Sequence, residues 1–558
     1  MNISEVLNST RATAQPMPYW QQINFSELVA SSIARQLLLA CLAIICCASF
    51  FSARKQAPRF PGPAGWPIIG NLASIYHCHA ERQFYEWAKV YGDVIEVKFG
   101  PMKVIVVNSA AAAKDIFAAS ATALSSRPVF HTFHHVRDPS TSPTISSVQK
   151  KSNQKHDQVI AGTLGTTIGT ASFGDALKKG RKATAAELSK PAVKANLGKI
   201  DLETRHLLQE LMVYGSEGQR AVQVSKPIKR LTLSLSLSIC YGRRVYLGDP
   251  LTHDIIDVED EILRLRSMTD NLQDFIPLFR YWPFNSYYGK ALELRKRRDA
   301  YVLRLNEEIE AKIQAGAHQD CLYAKNMTST HPLPVKELST VLLTFLSGGL
   351  ATASSTIHWT LTLLATRPDI QDTAYKAIRS VYPNDKQLFA SCEQDSEEVP
   401  YISALVREAL RYYTPSRLAL PRLTVHDVQY EGKTIAEGTT VILNTYACNM
   451  DSALFKDPGT FRPERWLEDP DLSIFSYGLG YRMCAGYTLA NREMYILIAR
   501  IIALFVIGPS PDTDADNITG CADAAHQAMA PKNTGIYFRP RDVNQVKDIL
   551  GQGHVEIF

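Results

Sequence analysis

The chain reads as a mainly α protein with a small β-rich lobe, and three stretches of sequence say so. The run from about Val335 to Leu364 is rich in Leu, Ala and Thr and is bracketed by Pro334 and Pro368. It predicts one helix of roughly 45 Å, long enough to cross a large domain. Leu251 to Ala315 is helical in pattern, whereas Asp93 to Asn108 alternates around Gly100-Pro101 as a β-hairpin does. With 558 residues, 46% of them hydrophobic, the chain can bury one large core.

In chain order, residues 1–27 form a short leader before an apolar segment, 28–53, that carries Arg35 as its one charge. That length suits a single transmembrane anchor with some tilt. Arg54, Lys55 and Arg59 follow the anchor, so the positive-inside rule places the N terminus in the lumen and the rest in the cytosol. Three glycosylation sequons, at Asn2, Asn8 and Asn24, fall in the lumenal stretch. Residues 54–70 include Phe60-Pro-Gly-Pro-Ala-Gly-Trp-Pro67, a stiff, turn-rich hinge. Residues 71–558 make the main body. Within it, 137–158 is dense in Ser, Thr, Lys, Gln and Asp and lacks periodicity, which marks a disordered insertion or an error of the gene model. Three of the ten cysteines lie in the anchor and the others are scattered, as in a reduced, cytosol-facing domain. A net charge of +5 without a basic stripe leaves no nucleic-acid footprint.

Chemistry concentrates at Cys484, in Gly478-Leu-Gly-Tyr-Arg-Met-Cys-Ala-Gly486. Dinucleotide binding fails there, because Met483 takes the place of the third glycine. Structural zinc fails too, since the nearest cysteines, Cys448 and Cys521, stand 36 and 37 residues away. A haem thiolate fits: Gly478 and Gly480 let the backbone fold tightly beneath a flat macrocycle, Gly486 lets the next helix start close by, and Arg482 offers a cation to a propionate. Upstream, Glu408 and Arg411 are three apart on one helical stretch, Ser403 to Tyr412, and so share a face. Adjacent Gly348 and Gly349 would loosen the long helix just before Thr352.

These runs resemble the signatures of the cytochrome P-450 monooxygenases. Residues 477–486 are similar to Phe-Gly-x-Gly-x-Arg-x-Cys-x-Gly with Tyr477 in place of Phe, Glu408-Ala-Leu-Arg411 to Glu-x-x-Arg, and Pro463-Glu-Arg-Trp466 to the Pro-Glu-Arg-Phe element. The resemblance implies the P-450 fold preceded by one transmembrane helix, haem b held by Cys484, a structural triad of Glu408, Arg411 and Arg465, and propionate partners Arg482, Arg422 and Arg181. It also implies dioxygen as co-substrate, NADPH-cytochrome P-450 reductase as electron donor, and an endoplasmic reticulum membrane. Lys178, Lys179 and Lys182 would then face an acidic donor. On the distal side Gly348, Gly349 and Thr352 match the oxygen-groove element, but Ala351 replaces its acid and leaves the proton route open.

Ser476 to Glu493, with Thr166–Thr170 and Asp201–Thr204, is similar to a fungal branch that hydroxylates phenylacetate, m-cresol and m-hydroxybenzyl alcohol. That resemblance ranks a phenolic, polyketide-derived substrate of secondary metabolism first and phenylacetate second, with a reductant-independent isomerase or dehydratase as the rival kept alive by Ala351. Phe345, Leu346, Leu418 and Leu420 are the expected pocket walls, and Ser416, Arg417 and His526 possible polar anchors.

Overall fold

In the computed structural model the described residues are 60–130, 167–267, 271–281, 287–394 and 397–551, with Gln36 alone. The anchor, the lumenal stretch with Asn2, Asn8 and Asn24, and the 137–158 segment lie outside them. Pro58–Gly65 and Ile69–Phe558 form one body, apart from a unit of Met1–Ala57 and Trp66–Ile68.

The principal helices of that body are α1 (Ala80–Tyr91), α2 (Asp175–Glu187), α3 (Leu197–Tyr214), α4 (Ser225–Tyr241), α5 (Pro250–Leu265), α6 (Tyr287–Gln314), α7 (Val335–Thr366), α8 (Pro368–Val381), α9 (Pro400–Tyr413) and α10 (Tyr487–Leu504). The expected hairpin is β1 (Val94–Phe99) and β2 (Met102–Val107), antiparallel from Val94↔Val107 to Phe99↔Met102. The other strands are β3 (Val222–Gln223), β4 (Arg422–Leu423), β5 (Val428–Tyr430), β6 (Lys433–Ile435), β7 (Thr440–Leu443), β8 (Phe505–Pro509) and β9 (Gly535–Pro540). β7 adds in parallel to β2 and carries β4 at the edge, so that segments more than 300 residues apart share one small sheet in the order β1-β2-β7-β4. The helical stretch expected over Leu251–Ala315 is two helices, α5 and α6.

At the centre stands α7. It is long and apolar enough to cross a membrane, yet most of it is buried inside the body, packed against α4, α9 and α10. A helix with so many hydroxyls survives in a core because most bond its own backbone, while Ser347 donates to Glu259 and Ser355 to the Met529 carbonyl. Thr340, Thr344, Thr352, Thr356, Thr360 and Thr362 all donate to the carbonyl four residues back. α9 ends at Thr414, whose left-handed φ of 43° turns the chain before Pro415.

Candidate haem site

The loop before α10 is held from behind by a buried carboxylate. Glu408 on α9 accepts two hydrogen bonds from Arg411, at 2.9 and 2.7 Å, and one from Arg465 at 3.1 Å. Both arginines also share the carbonyl of Thr460. Two further donors complete this centre: the Trp466 indole N–H reaches Glu408 Oε2 at 2.9 Å, and the Arg462 amide reaches Oε1 at 2.9 Å. A fully buried carboxylate with every lone pair answered is rigid.

From this centre two polar side chains run to the loop. The Ser476 hydroxyl donates to the carbonyl of Leu410 on α9 at 2.5 Å, and Asn449 accepts from the Phe475 amide while donating to Ser476 Oγ. Beyond them the loop closes on itself, with the Cys484 amide donating to the Tyr477 carbonyl at 2.9 Å and Met483 N to Gly480 O at 3.0 Å. Gly480 has φ +62°, and a Cβ there would sit 2.0 Å from the Phe117 carbonyl oxygen, so only glycine allows this approach. At Gly486 an added Cβ would meet Cys484 Sγ at 3.9 Å, ordinary contact, so no tight steric demand shows there. The Tyr477 hydroxyl donates to Asn491 Oδ1 at 2.6 Å, a bond that phenylalanine could not make.

Cys484 is open to solvent yet lies deep among protein atoms. Burial pushes its thiol up, while the Gly486 amide and the Arg181 charge work the other way. On α7, by contrast, Gly348 and Thr352 are open although nearly every neighbour is buried. The glycine pair divides its labour. Gly348 has open space beside it, whereas a Cβ on Gly349 would lie 2.8 Å from Ser236 Oγ on α4, so Gly349 serves helix packing. Ala351 packs with Leu263 of α5 and Ala528.

Near the loop four guanidiniums converge. Arg482 donates to the carbonyls of Ser125, Ile168 and Ala171, at 2.7, 2.8 and 2.5 Å. Arg127, which the sequence gave no reason to single out, donates to those of Gly169, Leu420 and Pro421. Arg422 reaches the Leu479 carbonyl at 2.5 Å and leaves its buried Nη1 without a hydrogen-bond partner. Arg181 lies over the Tyr481 ring and donates to Met483 O at 3.3 Å. Burial, then mutual repulsion, lowers three of them: Arg422 to about 9, Arg482 to about 10, and Arg127 well below the usual arginine range. The charges that press on Arg127 are all cations: Arg482, Arg422, Arg181 and Arg266. Such a cluster asks for an anion.

A model of the cytochrome P-450 family matches residues 60–169 and 145–522. The chain belongs to the cytochrome P-450 family. Among curated proteins it is 42% identical over 497 residues to 3-hydroxyphenylacetate 6-hydroxylase of Emericella nidulans, covering 88% of this chain and 91% of that one. It is 32% identical over 501 residues to phenylacetate 2-hydroxylase of the same organism, with the same two shares. A cytochrome P-450 monooxygenase of Mycosarcoma maydis matches at 33% over 507 residues, 88% of this chain and 89% of the other. The protein is therefore a P-450 monooxygenase, an oxidoreductase whose cofactor is haem with a cysteine thiolate, and it draws on dioxygen and a redox partner.

The residues present fit that cofactor. The Gly480 approach flattens the loop, and the cation cluster with the orphaned Arg422 Nη1 suits propionates. Other expectations need correction. Arg417 is buried against Glu81, at 2.9 Å, and against the carbonyl of Asn517, so it anchors neither substrate nor propionate. His526 lies 3.2 Å from the Asp260 carbonyl and 2.7 Å from that of Ala528, tied to backbone. Phe345 and Leu346 lie in the main core cluster. Leu420 lines one cleft, with Phe130 and Phe275, and Leu418 a second, with Gln527. Lys179 pairs with Glu337 at 3.5 Å and Lys178 with Asp175 at 3.7 Å, which leaves less of α2 for an acidic donor.

Proposed function

We propose that this P-450 hydroxylates the ring of a small aromatic acid of the phenylacetate type, with a neutral phenol such as m-cresol as the second reading. The order reverses the one the sequence suggested, and the two Emericella nidulans relatives, named for phenylacetates at 42% and 32% identity, support it. Aromatic catabolism then suits the enzyme better than secondary metabolism.

What carries the mechanistic half is exposure: Cys484 is open on the half-buried loop before α10, and Thr352 is open on the otherwise buried α7. In this reading Cys484 would hold the haem iron through its thiolate, on a loop fastened by Ser476 and Asn449. Arg482, Arg422, Arg127 and Arg181 neutralise the propionates. Haem supplies the oxidising chemistry when bound, its thiolate pushing electron density onto iron. Thr352 holds its own proton against the Gly348 carbonyl at 3.0 Å, and its oxygen lone pairs point a polar group at the open side of α7. Because Ala351 sits in an apolar contact, the proton that Thr352 passes on comes back from water or a substrate hydroxyl rather than from a neighbouring acid. In the same reading residues 28–53 anchor the enzyme in the endoplasmic reticulum membrane with the N terminus lumenal and the catalytic body cytosolic, where NADPH-cytochrome P-450 reductase delivers electrons.

The test is microsomal expression with the reductase and a panel of phenylacetate, 3-hydroxyphenylacetate, m-cresol and m-hydroxybenzyl alcohol, with products identified. NADPH-dependent ring hydroxylation of the acids is expected. Conversion of the neutral phenols alone would sink the first reading, and turnover of a hydroperoxide without reductant would favour the isomerase rival.

A further inference from the structure

Adjacent glycines weaken a helix, so the shape of α7 at Gly348–Gly349 has to be set by its neighbours. From one side α4 supplies two hydroxyls. Ser236 Oγ donates to the Phe345 carbonyl at 3.4 Å and Thr232 Oγ1 to the Leu350 carbonyl at 3.1 Å, so the glycine pair is held before and after. From another side comes a carboxylate. Glu259 of α5 accepts the hydroxyls of Ser347 and Tyr301, each at 2.5 Å, and pairs with Arg298 at 2.9 Å. Arg298 also donates to Ser347 Oγ. Since Tyr301 and Arg298 belong to α6, three helices meet on one side chain.

Burial makes this junction stiff. Glu259, Arg298 and Tyr301 are each at most 2% exposed, and charged hydrogen bonds removed from water hold their geometry closely. Consecutive helical residues lie about 100° apart around the axis, so Ser347, Gly348 and Gly349 meet three different surroundings. Ser347 meets the carboxylate, Gly349 meets α4, and Gly348 between them has open space. The Gly348 carbonyl is also the acceptor of the Thr352 hydroxyl, at 3.0 Å. A clamp on Ser347 and on the carbonyls of Phe345 and Leu350 fixes that acceptor without crowding the open face.

We propose that Glu259, acting through Ser347, is a positioning residue for Thr352: it holds the Gly348 carbonyl, and with it the Thr352 hydroxyl, in one place. This rests on the reading of Thr352 as the hydroxyl that serves the open side of α7, and gives that hydroxyl a support from α5.

The experiment compares Ser347→Ala, Tyr301→Phe, Thr352→Ala and the double variant Ser347→Ala/Thr352→Ala in the full-length holoenzyme with reductase. The substrate is phenylacetate, or m-cresol if only the neutral phenols turn over. Two quantities are read: product formed per NADPH, with lost electrons counted as hydrogen peroxide, and amide hydrogen exchange of the peptide covering residues 345–352. Ser347→Ala is expected to lower product per NADPH about three- to tenfold, the scale of one hydrogen bond, and to speed exchange in that peptide, with the carbon monoxide difference spectrum unchanged. Tyr301→Phe removes a bond to the same carboxylate from the α6 side, and should lower the thermal midpoint while keeping product per NADPH within about twofold. In the Thr352→Ala background the Ser347 change should lower product per NADPH no further, because its effect passes through Thr352. Full additional loss in that background, equal loss in Tyr301→Phe, or a Ser347→Ala variant that changes the thermal midpoint alone overturns the positioning role and leaves the Thr352 reading standing. Thr352→Ala with wild-type product per NADPH overturns that reading as well.

Discussion

The two faces of the haem site are built on opposite principles. Behind Cys484, one carboxylate gathers donors from Arg411, Arg465, Trp466 and the Arg462 backbone, and Ser476 and Asn449 pass that rigidity to the loop. Around Thr352 the contacts are one intrahelical hydrogen bond, an apolar patch at Ala351, and a glycine that lets α4 approach. A metal ligand must not move, so its side is over-determined by charged hydrogen bonds. The side that meets substrate and oxygen is defined by shape, which small substitutions can retune without collapse.

Removing the hub gives the largest break. Glu408→Gln leaves Arg411 and Arg465 buried beside a neutral amide and should cost about 3–5 kcal/mol, read as lost haem incorporation and a lower thermal midpoint. Gly480→Ala comes next: the left-handed backbone and the Phe117 carbonyl both oppose a methyl group, for about 3 kcal/mol and poor haem content. Trp466→Phe removes one hydrogen bond to a charged acceptor and should lower stability by about 1.5–3 kcal/mol while leaving the carbon monoxide difference spectrum of a thiolate-ligated haem intact.

The proximal frame also holds a pH-sensitive member. Glu493 on α10 is pushed up to about 8 by burial and by the charge of Glu203. The folded state therefore binds its proton more tightly than the unfolded state, so this contribution is fully present below the ordinary glutamate range and is lost as pH rises towards 8. Its slope is at most about 1.4 kcal/mol per pH unit. Glu493→Gln should flatten the fall of the urea midpoint between pH 5 and pH 8; an unchanged slope would remove Glu493 from the account. On the distal face the expected effect is smallest. Gly349→Ala should cost about 1 kcal/mol, most of it recovered in the double variant with Ser236→Ala, because the hydroxyl at 2.8 Å is the obstruction.

Legibility in the sequence followed the same division. The proximal side is encoded by short motifs with fixed spacing, so Cys484, Arg482 and the Glu408–Arg411 pair could be placed, while the hairpin followed from alternation and α7 from its composition between Pro334 and Pro368. Arg127 could not, since its partners are carbonyls at 169 and 420–421, brought to it only by the fold. Arg417 misled for the same reason: an arginine in a pocket-forming stretch looks available until Glu81, 336 residues away, is seen beside it. Gly349 looked like part of the oxygen groove because a sequence does not say which side of a helix another helix will take. Glu259, a carboxylate that reaches α7 at Ser347, one turn before Ala351, comes from a different helix, so no local pattern announced it.

The tether from α9 to the cysteine loop has a consequence for assembly. Because the Ser476 hydroxyl and Asn449 fasten the loop to Leu410 and Thr414 through protein atoms alone, the ligand's seat takes shape with the polypeptide. A substitution at Ser476 or Asn449 would then be felt first as a change in where the cysteine loop sits on α9.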